Sequence, residues 1–208
     1  MIMQPRFPST RSSRSRPARL LAGACSLTAA LALAGCNNFS GDEKSQAEVI
    51  GNFYRIHIKN NAPGLPSAEE LREFQPLVSR ALFTLLTQAE AADARYHALA
   101  GPQAPPIVEG DLFTSLYEGA TSFSVDSCET GDDRGDERSN RQDGQRASCQ
   151  VAFKYSKDGA SESWNDKILL VREEQHWRVD DIEFIGNDQS SQREYLTDTL
   201  TDAIKETQ

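Results

Sequence analysis

The chain of 208 residues is short of several things, and each shortage excludes a class of function. Beyond residue 35 it has no apolar run of the roughly 18 residues that a membrane-crossing helix needs. It has no Cys-x-x-Cys, and its three histidines, His57, His97 and His176, are scattered. A structural zinc site and a redox dithiol are therefore not expected. It lacks a nucleophile elbow, a P-loop, an HExxH and a Gly-rich dinucleotide fingerprint, so no catalytic constellation and no cofactor is expected. It also lacks positive charge: 22 Lys and Arg stand against 31 Asp and Glu, a net charge of -9. Nucleic-acid binding needs a basic surface to neutralise phosphates, so no nucleic-acid partner is expected.

The few basic residues are unevenly placed. Residues 1–35 hold Arg6, Arg11, Arg14, Arg16 and Arg19 and no acid. The remainder therefore has 17 basic against 31 acidic residues, a charge of -14. The basic stretch is followed by an uncharged apolar run from Leu20 to Gly35 and then by Leu33-Ala34-Gly35-Cys36. A basic region, a short apolar core and small residues before a cleavage point make an export signal. The last four residues resemble the lipobox of bacterial lipoproteins at every position. The expectation is cleavage before Cys36 and lipidation of its thiol, with several acyl chains holding the protein to a membrane. Asn37 stands where an inner-membrane retention signal would carry Asp, so an outer-membrane anchor facing the periplasm is expected.

Cys25 leaves with the signal and Cys36 carries lipid, which leaves Cys128 and Cys149. In an oxidising compartment such a pair is expected to form a structural disulfide. Their parity is awkward, however. Cys149 shares a face with Val151 and Phe153, whereas Cys128 is out of phase with Phe123 and Val125. A cross-strand bridge needs both side chains on one face, so a bulge or a strand end is expected between Val125 and Cys128.

The organisation follows from periodicity. Residues 1–35 read as the signal, 36–45 as a polar tether and 46–208 as one domain. Ser45 to Glu48 reads as a capping box opening a helix whose apolar face is Ile50, Phe53, Tyr54, His57 and Ile58. Ser67 to Glu70 opens a short helix through Phe74. Val78, Leu82, Leu85, Ala89, Ala92 and Tyr96 trace a longer helix that ends at Gly101-Pro102. The period then changes to two, giving strands around 123–125, 151–155, 164–172 and 177–185, the last two joined near Glu174-Gln175. Ser191 to Glu194 reads as a third capping box before a final helix with Leu196, Thr199, Leu200 and Ala203 on one face. Helices first, then about four antiparallel strands, then a helix make an α+β fold. Ile168 and Leu170 lie on one face of their strand and Leu169 and Val171 on the other, so both sheet faces are expected to be covered, by helices or by a partner. Residues 129–146 hold six acids, four Arg and no large apolar side chain, and 129–148 reads as a mobile acidic hairpin loop. Its acids miss the calcium-loop spacing, so no metal is expected there.

Three clusters are candidate pocket or surface residues. The first is Glu109 to Ser115, in which Asp111 reads as the cap of a single helical turn. The second is Trp164, Asn165 and Asp166 with Trp177, Arg178, Asp180 and Asp181. There the Trp read as core anchors, and the acids as strand-edge groups or partners of Arg172 and Arg178. The third is Tyr54, Arg55 and His57, with His57 reading as a satisfied core histidine.

Phe53-Tyr54-Arg55, Pro76-Leu77-Val78-Ser79, Asp111 to Ser115, Trp164-Asn165-Asp166 and the run from Trp177 to Ile182 with Gly186 together resemble YbjP-type bacterial lipoproteins, a family with a domain of unknown function. The resemblance spans about residues 48–204. It implies a nuclear-transport-factor-like (cystatin-like) cone, with helices packed into a curved antiparallel sheet. It supplies no catalytic residues, and it implies docking to envelope channels of the TolC type. The expected function is a non-enzymatic, periplasm-facing outer-membrane lipoprotein that serves an envelope protein assembly. The alternatives are an immunity lipoprotein, whose acidity would suit a basic toxin, and an isomerase or hydrolase working in the cone with Tyr54, Asp111, Asp166 and Asp180.

Overall fold

Helices precede strands, as the change of period predicts. In the computed structural model, residues 40–101, 103–131, 145–186 and 193–207 are described, and they belong to one compact unit, Asn37–Gln208. Among them the order is α1 (Gly41–Asn60), α2 (Ala68–Phe74), α3 (Arg80–Ala100), β1 (Ser122–Thr130), β2 (Arg146–Lys157), β3 (Ala160–Glu173), β4 (His176–Gly186), β5 (Glu194–Tyr195) and α4 (Leu196–Glu206). The strands form one antiparallel sheet in that order, one strand more than the sequence reading gave. No described helix is long and apolar enough to cross a membrane. The expected export signal and Cys36 lie outside the described residues.

Helix α1 starts one turn earlier than expected. The sequence offers two capping boxes, Ser40–Glu43 and Ser45–Glu48, and the upstream one caps the helix. The Ser40 N–H donates to Glu43 at 2.5 Å and the Glu43 N–H returns to the Ser40 hydroxyl at 3.4 Å. These bonds to Ser40 hold the Glu43 carboxyl below its usual range. The stretch read as tether is therefore helical from Gly41. Long-range contacts explain the choice: the extra turn brings Asp42 to 3.7 Å from the Arg172 guanidinium, and Gln46 donates to the Thr130 hydroxyl at 2.7 Å. Helix α2 uses the expected Ser67–Glu70 box. Helix α3 is capped by Ser79, and Leu82 and Leu86, not Leu85, are its fully buried leucines.

Pairing between β1 and β2 confirms the parity argument. Val125 faces Val151, but Ser127 faces Gln150, so Asp126 is left over in a bulge. That single extra residue brings Cys128 opposite Cys149, and the two are joined by a disulfide with S–S 1.99 Å. Both strands run further into the charged segment than expected: β1 reaches Thr130 and β2 begins at Arg146, while 132–144 lie outside the described residues. The β2–β3 turn is Asp158-Gly159 and the β3–β4 turn is Glu174-Gln175, with all four residues at positive φ. That is the primed geometry which matches strand twist.

Paired residues share a face, so the register sorts every side chain. One face carries Val151, Phe153, Trp164, Ile168, Leu170, Val179 and Ile182. Helix α1 packs there with Ile50, Phe53 and Tyr54, joined by Phe74 and Phe113. Helix α1 touches β1, β2 and β4. Strands lie about 4.8 Å apart, so one helix reaches that span only because the sheet curls around it. On the edge of β4, Val78 forms a parallel bridge to Val179, and Ser79 and Leu77 bond the Val179 backbone. Helices α3 and α4 then pack together beside β4. On the outer face α3 and α4 cover the sheet beside β4, which accounts for apolar Leu169 and Val171 opposite Ile168 and Leu170.

Candidate functional site

The sequence-derived candidates separate into two groups on opposite faces of the sheet. Tyr54, Asp111, Trp164 and Asp166 lie inside the curve. Here rings fill the space: Phe53 meets Tyr54, Phe74 and Phe113 at centroid distances of 4.9–5.1 Å, and Phe153 stacks on Trp164 at 5.6 Å. The Tyr54 hydroxyl donates to the Phe113 carbonyl at 3.0 Å. Burial, and then the nearby Asp166 and Asp111 carboxylates, hold its phenol protonated well above the ordinary tyrosine range.

Asp166 is completely buried and has no cation against it, yet every lone-pair direction is used. Oδ2 accepts from the Ser115 N–H at 3.0 Å and the Trp164 indole at 3.1 Å. Oδ1 accepts from the Ser115 hydroxyl and from the Ile185 and Gly186 N–H groups at 3.0 and 3.2 Å. The last two belong to a break in the β3–β4 register beside Asp166, so the carboxylate serves the N–H groups that lost their ladder partners. Asp111 does not cap a helical turn, as its sequence context suggests. It closes an Asx turn onto the Phe113 N–H at 2.8 Å, and its other oxygen meets His57 Nε2 at 2.7 Å. The first and third sequence clusters are joined by this His57–Asp111 pair. Gly119 explains why the loop can close here: its φ is +76°, and a Cβ would lie 2.4 Å from Asp111 Oδ2.

Trp177 is a buried anchor at the start of β4, with the Arg172 guanidinium 5.7 Å above its ring. The expected pairing of strand acids with Arg172 and Arg178 is not formed. Arg172 reaches Asp42 and Gln145, and Arg178 donates to the Pro76 carbonyl.

Asp180 and Asp181 belong to the second group. They line a cleft of about 790 Å³ on the face opposite the rings, bordered by α3 and α4. Two cross-strand rows form its floor: Ser127, Gln150 and Lys167 in one, and Glu129, Ser148, Leu169 and Asp181 in the next. Leu82 and Leu85 of α3 and Thr197 and Asp198 of α4 form its walls. A register shift at Leu169/Leu170 places Asp180 in a bulge, and its carboxylate meets Arg146 at 3.5 Å. Lys167 is 3.1 Å from Glu183. Both cations of the lining are therefore already held by carboxylates.

Asp181 is different. Its oxygens accept from the Thr197 N–H at 3.0 Å, the Thr197 hydroxyl at 2.6 Å and its neighbour's N–H at 2.9 Å. No described cation pairs with it. Burial raises its carboxyl to about 6 against the opposing pull of the Thr197 and Ile182 bonds, and the Asp180 charge raises it further. Asp181 also supplies what α4 lacks. The N-cap of that helix is Tyr195, which offers no side-chain bond; Glu194 of the expected Ser191–Glu194 box lies in β5, and Ser191 lies outside the described residues. A carboxylate from β4 takes over the capping role.

Among the described residues no group of three or more His, Cys, Asp or Glu is arranged to hold a metal. The chain matches no protein-family model and no curated protein significantly.

The cleft residues Glu129, Arg146, Lys167 and Thr197 were not legible as a site. The available signal was the polar parity of Ser127, Ser148 and Gln150 beside apolar Leu169, which marks a half-polar face under cover.

Proposed function

We propose that the protein is an exported lipoprotein, anchored through Cys36 to the outer membrane, that faces the periplasm and serves an envelope assembly by binding rather than by turnover. The observation that carries this reading is the filled interior of the curved sheet. Tyr54, Asp111 and Asp166, the groups that an acid–base site in the cone would use, are committed to the Phe113 carbonyl, to His57 and Phe113, and to five N–H and O–H donors. The disulfide suits an oxidising compartment. The sorting signal at Leu33 to Cys36 supplies the anchor. The exposed acidic surface supplies the means of recognition, since a charged surface speeds and orients encounter with a basic partner.

Acyl labelling in the native host tests the anchor. Label is expected on the wild-type protein and not on a Cys36→Ala variant, which should also leave the membrane fraction. Gentle detergent extraction with crosslinking tests the partner. A discrete crosslinked species is expected, and a strictly solitary protein in the native envelope would remove the accessory role.

A further inference from the structure

The cleft between α3, α4 and the outer sheet face has a charge arrangement that the envelope-binding reading does not use. Glu129 and Asp181 stand at the two ends of one cross-strand row, with Ser148 and Leu169 between them. Three strand spacings separate those ends, about 14 Å between backbones. Leu169, Leu82 and Leu85 make the middle of the cleft apolar. The basic side chains in the lining are each paired with another acid, Arg146 with Asp180 and Lys167 with Glu183. Asp181 is only 9% exposed and is bonded to neutral donors alone. A buried carboxylate without a countercharge is costly, and a cation entering from the cleft would relieve that cost. The volume, about 790 Å³, falls within the range of small-molecule sites.

We propose that this cleft binds a linear aliphatic di- or polyamine, with one ammonium group at Asp181, another at Glu129 and the hydrocarbon chain laid over Leu169. The two acids set the polarity of the ligand and its two-ended character. The leucines favour methylenes over a hydrated metal ion, and the distance between the ends requires an extended chain. Asp198 of α4 adds negative potential beside the Asp181 end. The inference is independent of membrane anchoring and of any protein partner.

Calorimetric titration of the full-length protein in detergent with spermidine at low ionic strength is the direct test. One saturable site is expected. Binding should weaken by about tenfold or more in Asp181→Asn, the loss expected for one charge-assisted hydrogen bond, and measurably in Glu129→Gln. Pentylamine, which carries a single ammonium, should bind far more weakly than 1,5-diaminopentane. Asp181→Asn keeps the acceptor for the Thr197 N–H. Glu129 is exposed near a strand end, so its variant reports even if the first fails to fold. Binding that is the same in wild type and both variants would spread the amine over the acidic surface and overturn the site. Absence of saturable binding would overturn it equally. A lysine-bearing tripeptide that binds more tightly than spermidine would reassign the cleft to a partner's side chain and end the free-amine proposal.

Discussion

Asp181 and Asp166 are both carboxylates buried in one sheet, and they differ in what surrounds them. Asp166 has five donors, whereas Asp181 has three and a neighbouring acid. Folding raises the Asp181 carboxyl to about 6, so the folded state favours its neutral form. Its contribution to stability is therefore fully present below the unfolded value near 4 and is lost as pH rises through about 6. The wild-type protein should gain on the order of 2–3 kcal/mol from this residue between pH 7 and pH 4, and Asp181→Asn should flatten that slope in urea titrations run at each pH. Asp166→Asn should destabilise the fold through its hydrogen bonds. An amide nitrogen would face the donors that Oδ1 or Oδ2 now accepts, at a cost of about 2–4 kcal/mol in chemical denaturation at neutral pH. The sequence named both residues as candidates but could not distinguish their roles. A role depends on which N–H groups a register break exposes, and no local pattern records that.

At the scale of elements, turns and caps were legible where the partners are adjacent in the chain. The Ser67–Glu70 box and the Glu174-Gln175 turn are examples. The Glu174-Gln175 turn is an instructive case, because neither residue suits its positive φ of 49° and 67°. Replacing the pair by Asn-Gly should stabilise the protein by about 1 kcal/mol, read as a rise in Tm with unchanged near-ultraviolet circular dichroism. The bulge at Asp126 was also legible, since two cysteines of opposite parity can meet only if one residue drops out of the ladder. The start of α4 was not, because its cap comes from β4, some 16 residues upstream. The start of α1 was misplaced for a related reason: two equivalent boxes compete locally, and contacts to Thr130 and Arg172 decide between them.

For the whole molecule, the disulfide closes a loop with a sequence separation of 21 and ties β1 to β2 near the end of their hairpin. Replacing both cysteines by alanine should cost about 3 kcal/mol in the chain-entropy view and leave the fold in place. Unfolding curves of the variant and of the wild type under reducing conditions should then coincide. The core does not need the bridge, because α1 and the rings of Phe53, Tyr54, Phe74, Phe113, Phe153 and Trp164 already close the curved sheet.

Composition and periodicity by themselves determined the class of fold, the order of its elements, the disulfide and the bulge that permits it. These are properties of adjacent residues and of parity, and they need no knowledge of what lies across the molecule. Only the tertiary structure decided that the candidate acids fall on opposite faces, that the side facing α1 is filled with rings, and that a polar cleft lies behind it. The reason is register: a shift of one residue exchanges the two faces of a strand, and β3 and β4 shift twice, at Asn165/Lys167 and at Leu169/Leu170.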